Sequence, residues 1–172
     1  MKIKLTPEIC YIAGLNAPFK EKNAVGVETN IKEIETHFAE LAMKLFEVDP
    51  TRIMVTEEEG RHSIYFYNSR IAKRLAEIRS KSDKLFRMQN EFSKSYLAGM
   101  FDSMGRISKS GVFMNGMHPV DEVFLANMGI HTKGGRVTNI SSLVSLIKNI
   151  SILVGISSSL KRSESSPSTK HI

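Results

Sequence analysis

The chain has 172 residues, a hydrophobic share of 41%, a formal net charge of +6, a pI near 9.5 and a single cysteine. That length supports one good core, or two half-sized lobes that share one, and the lone Cys10 excludes an internal disulfide and suits a reducing compartment. No apolar run reaches the roughly 18–20 residues of a spanning helix, and Met1-Lys2-Ile3-Lys4 lacks the apolar core of an export signal, so the expectation is a cytoplasmic protein with an anionic partner and no membrane.

Thr6-Pro7-Glu8 is a helix start: a capping residue, proline at the first helical position and an early acid. The helix is predicted to end near Pro18, which lacks the N–H that a helix needs. Phe19 to Asn23 is a basic connector, and Ala24 to Thr29 reads as a strand. Asn30 with Glu33 has the pattern of a capping box. Behind it Ile31, Ile34, Phe38, Leu41 and Leu45 form one apolar helical stripe, stopped by Asp49-Pro50. Residues 52–56 and 62–67 then alternate as the arms of a hairpin. Ile53, Val55, Ile64 and Phe66 are predicted to face the core, and Arg52, Met54, Thr56, Ser63, Tyr65 and Tyr67 the other side. Glu57 to Gly60 supplies the turn. Ser69 is expected to cap a short helix with Ile71, Leu75 and Ile78 inward, followed by a charged linker.

The second half repeats this plan in shorter form from about Glu91. Arg106 to Asn115 suggests a hairpin around Lys109-Ser110-Gly111. Pro119 opens a helix with Val120, Val123, Phe124 and Met128 inside. Gly134-Gly135 marks a second tight turn that needs positive φ. Ser141 or Ser142 is predicted to cap one final helix carrying Leu143, Ile147, Ile150 and Val154 on one face. From Ser157 the composition turns to serine with scattered basic residues, and a flexible tail is expected.

The two halves share more than a plan. Tyr11-Ile12-Ala13-Gly14-Leu15 returns as Tyr96-Leu97-Ala98-Gly99-Met100, about half a chain later. Small residues at i and i+4, Ala13/Ala17 and Gly99/Ser103, let two helices approach closer than the usual 8–10 Å. A lobe interface built from Ala13, Gly14, Ala17, Ala98, Gly99 and Ser103 is therefore predicted. The nonapeptide Leu97 to Gly105 resembles the LAGLIDADG motif of homing endonucleases and intron maturases, matching at positions one to three, six and nine. Ile12 to Lys20 is a more degenerate copy. The resemblance spans about residues 7–156. It implies an α+β fold of two pseudo-symmetric αββαββα lobes with paired motif helices and antiparallel, saddle-shaped sheets. The lobes would be residues 1–80 and 91–156, joined by a linker at 81–90 and followed by a tail at 157–172, in a monomer with an internal pseudo-twofold.

The resemblance also implies a catalytic acid at the eighth motif position of each copy, the pair holding divalent metal for phosphodiester hydrolysis. Those positions are Phe19 and Met104 here, and neither can bind a hard cation such as magnesium. The residual acids are Asp102 and Glu21. Asp102 reads either as a displaced metal ligand or as a helix-end hydrogen-bonder, and the second is preferred because one acid cannot furnish a symmetric site. The five histidines, His37, His62, His118, His131 and His171, lack ligand spacing, so no metal site is expected. Candidate nucleic-acid-binding residues are Lys20, Lys22, Arg52, Arg61, Tyr65, Tyr67, Arg106, Lys109, Asn115, Lys133 and Arg136, since arginine reads guanine edges, asparagine adenine, and lysine neutralises phosphate. The expected function is duplex DNA binding through concave sheets by a nuclease-dead protein without a cofactor. The alternatives are a structured-RNA binder, maturase-like or ribosome-associated; a magnesium-dependent DNA endonuclease using Asp102 and Glu21; and a protein-interaction module.

Overall fold

The structure, a computed structural model, describes residues 3–164. Helix α1 (Pro7–Asn16) starts where Thr6 Oγ1 accepts the Ile9 N–H at 3.2 Å and ends at Ala17, one residue before Pro18. Every residue from Ile9 to Asn16 is buried, so α1 is a central helix with no solvent face. The first lobe continues with β1 (Ala24–Glu28), α2 (Lys32–Phe46), a 3₁₀ turn (Pro50–Arg52), β2 (Met54–Glu58), β3 (Arg61–Tyr67) and α3 (Ser69–Ser80). A short α4 (Ser82–Leu85) follows. The second lobe comprises α5 (Glu91–Met104), β4 (Gly105–Ser108), β5 (Gly111–Met114), α6 (Pro119–Asn127), β6 (Thr132–Lys133), β7 (Arg136–Val137) and α7 (Ile140–Ile147), with α8 (Ile152–Glu164) behind it.

Each lobe holds one antiparallel sheet, in the order β1-β3-β2 and β4-β5-β7-β6. The second lobe therefore runs αββαββα, whereas the first has one strand between its motif helix and α2. β1 pairs with β3 as β5 pairs with β7, so the position left without a strand is the one directly after the motif helix. Pro18 accounts for this locally, since it interrupts the run of N–H donors that a ladder at Ala17 to Asn23 would need. Helices α1 and α5 pack against each other through the middle of the molecule. Aromatic clusters flank them: Phe38, Phe46 and Phe66 in the first lobe, and Phe86, Tyr96 and Phe124 in the second. Each of these rings that is fully buried, which excludes the half-buried Phe46, contributes about 1.5–3 kcal/mol by leaving water.

Several local expectations are corrected. Asn30 does not cap α2; its Oδ1 accepts the His62 N–H at 3.3 Å, and the helix starts after Ile31. Asn68 rather than Ser69 caps α3, taking the Ile71 N–H at 3.1 Å. Val55 shares a sheet side with Ile64, yet it is 59% exposed on β2, the edge strand of its sheet. Val123 is likewise exposed, and Leu125 takes the buried place on α6. The stretch expected as a linker contains α4 and buries Ser82 and Phe86. The final helix is broken at Lys148–Ser151, leaving α7 and α8 at 111°. α8 carries the chain in helical form past Ser157 to Glu164, and the rest of the expected tail lies outside the described residues. No single helix among the described residues is long and apolar enough to cross a membrane.

Candidate nucleic-acid interface

The motif helices touch at two glycines related by the repeat. A Cβ on Gly14 would fall onto the Tyr96 carbonyl oxygen and 2.7 Å from Met100 N. A Cβ on Gly99 would fall onto the Tyr11 carbonyl oxygen and 2.8 Å from Leu15 N. Each glycine thus faces the backbone three residues before its counterpart, as a pseudo-twofold requires. Ala13 and Ala98 are buried beside this contact, Ala17 closes α1, and the Ser103 hydroxyl donates across it to the Gly14 carbonyl at 3.2 Å.

Past the crossing, the helix tips carry apolar groups. Met104 is buried at the end of α5. Phe19 turns back over the first sheet, with its ring centroid 5.7 Å from that of Tyr65 and its Cε1 2.8 Å from where a Cβ on Gly26 would stand. Asp102, 4% exposed, accepts four hydrogen bonds: Tyr11 Oη at 2.7 Å, Ser151 Oγ at 2.6 Å, and the Ile152 and Leu153 N–H groups at 2.9 and 3.0 Å. Its charge sits against the positive end of α8, and it explains why the final helix breaks at Ser151. Burial, reinforced by the Asp102 charge, pushes the Tyr11 phenol upward, so it stays a donor to that carboxylate. Glu21 is exposed and accepts from Tyr67 Oη at 3.3 Å. A hard cation needs several oxygen ligands, anionic ones foremost. The thioether, the phenyl ring and a carboxylate already saturated by donors do not fit one. Among the described residues no cluster of His, Cys, Asp or Glu is arranged to hold a metal. Burial pushes the Cys10 thiol up to about 12, which leaves it an inert core group.

The outward sheet faces differ between lobes. In the second, register places Arg106 opposite Phe113, Phe113 opposite Arg136, and Arg136 opposite Lys133, a single row across all four strands. Val112, Met114 and Val137 point the other way and are buried. The Arg106 guanidinium lies over the Phe113 ring, 5.1 Å from its centroid. Lys109 sits in the β4–β5 turn, and Asn115 follows β5 with its N–H on the Met104 carbonyl at 3.0 Å. In the first lobe the corresponding face carries Gly26, Tyr65 and Met54 in one row and Glu28, Ser63 and Thr56 in the next. Arg61, opposite Glu58, pairs instead with Glu28 at 3.5 Å. Tyr65 and Tyr67 meet edge to face at 5.6 Å. A groove of about 620 Å³ opens here, lined by Lys20, Glu21, Glu28, Glu58, Glu59 and Arg61 beside Phe19, Tyr65 and Ser103. Lys22 is exposed on the connector and Arg52 lies on the 3₁₀ turn, outside the groove's lining.

Sequence reasoning passed over two features. Arg79 at the end of α3 holds Asp121 of α6 through Nε at 3.2 Å and Nη2 at 2.6 Å, and also donates to the Ala17 carbonyl oxygen. Asp121 is fully buried, and its other hydrogen bond comes from the His118 N–H at 2.7 Å. No local pattern announces a pairing 42 residues long in sequence. The second feature was legible: between Glu122 and Glu164 the chain contains no acidic residue, and none lies between Asp102 and Asp121.

Two lobes, paired glycine-bearing helices and opposed antiparallel sheets define the fold of the LAGLIDADG homing endonucleases. Among solved structures the chain is similar to mesophilic variants of the homing endonuclease I-DmoI (TM-score 0.64, 12% identity, covering 84% of this chain and 97% of that one). It is similar also to I-DmoI in complex with DNA and manganese (TM-score 0.61, 15% identity, 84% and 97%) and with DNA and calcium (TM-score 0.63, 12% identity, 91% and 97%). By sequence, no protein-family model and no curated protein matches the chain.

Proposed function

We propose that this protein binds duplex DNA on its outward sheet surface and does not cut it. The observation that carries the reading is the pairing of the glycine-to-glycine contact of α1 and α5 with apolar residues, Phe19 and Met104, at the eighth motif positions, where the resemblance calls for metal-binding acids. The row of cations and one aromatic ring across the second sheet is what a phosphate backbone and exposed base edges favour. The solved I-DmoI complexes with DNA support the same partner class.

The test is equilibrium binding of labelled mixed-sequence duplex across a salt series, run beside a plasmid-cleavage assay with magnesium and manganese. Binding is expected to weaken steeply with salt, because phosphate neutralisation releases counterions, with no nicking above the protein-free control. Magnesium- or manganese-dependent cutting above that control would overturn the non-cutting half. Salt-independent binding, or none, would remove nucleic acid as the partner. A clear preference for structured RNA over duplex would move the partner to RNA.

A further inference from the structure

We propose that the grip on DNA is one-sided: the second lobe's sheet makes the contact, and the first lobe's groove is closed to a phosphate backbone. This rests on the nucleic-acid reading above and narrows it to one surface.

The closing element is the connector Pro18 to Asn23, which follows α1 in the chain where β4 follows α5. Instead of adding a strand, it folds over the face. Phe19 lies on Gly26 and Tyr65, and Glu21 meets the Tyr67 hydroxyl. What remains open is lined by four carboxylates, Glu21, Glu28, Glu58 and Glu59, against two cations. One of those cations, Arg61, is already spent on Glu28. A phosphate entering this groove would exchange water for the repulsion of nearby like charges. The second sheet has the opposite character. Its row of Arg106, Phe113, Arg136 and Lys133 spans every strand, and Lys109 extends it at the turn. Among the described residues none of these cations is paired with a carboxylate. The Arg136 guanidinium lies over Gly111, its Nε 3.0 Å from where a Cβ there would be, and the residue remains exposed. Attraction and exclusion are thus divided between two faces that the fold makes equivalent.

The experiment is fluorescence anisotropy at low salt with labelled mixed-sequence duplexes of about 12 bp, roughly one helical turn, and about 24 bp. Arg106→Ala, Lys133→Ala and Arg136→Ala are each expected to weaken binding by about 3–10-fold at both lengths. The two duplexes should bind the parent protein within about threefold of each other, since one lobe reaches only one stretch. Glu58→Gln and Glu59→Gln, which a duplex in the first groove would feel as tighter binding, should change affinity by less than about twofold. Thermal unfolding of each variant separates lost contact from lost fold. Tightening by the glutamine variants, or a more than tenfold advantage for the longer duplex, would overturn one-sided binding while leaving DNA binding intact. Absence of salt-dependent binding to either duplex would overturn both readings.

Discussion

Asp102 stands at the sixth place of a motif whose eighth place here is Met104, and its surroundings show what it does. Two hydroxyls and two backbone N–H groups converge on a carboxylate that is almost wholly buried, tying α1, α5 and the start of α8 together. All four partners are donors, so an amide in its place would turn one N–H₂ against another donor. Asp102→Asn is expected to cost about 2–4 kcal/mol and to lower the unfolding midpoint by about 5–15 °C for a chain of this size. Circular dichroism on the two proteins checks it. An unchanged midpoint would mean the carboxylate does not anchor α8.

Helices α1 and α5 depend on what is missing from their surfaces. Gly14 and Gly99 each meet a partner's backbone, which cannot swing aside as a side chain would. Gly99→Ala is therefore expected to destabilise by about 3–5 kcal/mol, as a forced separation of packed helices does, or to prevent folding. Gly155 in α8 offers the contrasting case. Gly155 is exposed and among the described residues nothing lies within 4 Å of where its Cβ would stand, so Gly155→Ala should stabilise by about 0.4–1 kcal/mol through a less flexible unfolded chain. Chemical denaturation of both variants gives the comparison. The same substitution with the same sign at both sites would refute the close-approach account. The helix pair was legible because duplication and small-residue spacing both lie in the sequence. The missing strand beside Pro18 was legible too, since Phe19 to Asn23 reads as a connector; it was the family resemblance that implied two strands there.

Across the molecule, the lobes are also joined beside the end of α1 by Arg79 and Asp121. The arginine reaches from the end of α3 to a carboxylate on α6 that no water touches. Removing one partner strands the other, so Arg79→Leu is expected to cost about 3–5 kcal/mol. The double variant Arg79→Leu/Asp121→Leu should recover part of that loss, read as a coupling in a double-mutant cycle of unfolding free energies. Strict additivity would show that the bridge is not a unit. The charge contrast between the two sheets belongs to this scale also. Its second half could be read from a long acid-free stretch, whereas its first half could not, since Glu28, Glu58 and Glu59 come from separate strands and a turn.

By itself the sequence determined the repeat, the central helices, the hairpin turns and the apolar residues at both motif tips, because each is a matter of local spacing or residue type. The tertiary structure decided what surrounds them. It made Asp102 a helix anchor, turned Phe19 back over its own sheet, exposed Val55 on an edge, and divided cations from carboxylates between two faces. The reason is that hydrogen bonding, burial and electrostatic pairing are properties of neighbours, and in this fold the neighbours that matter are tens of residues apart along the chain.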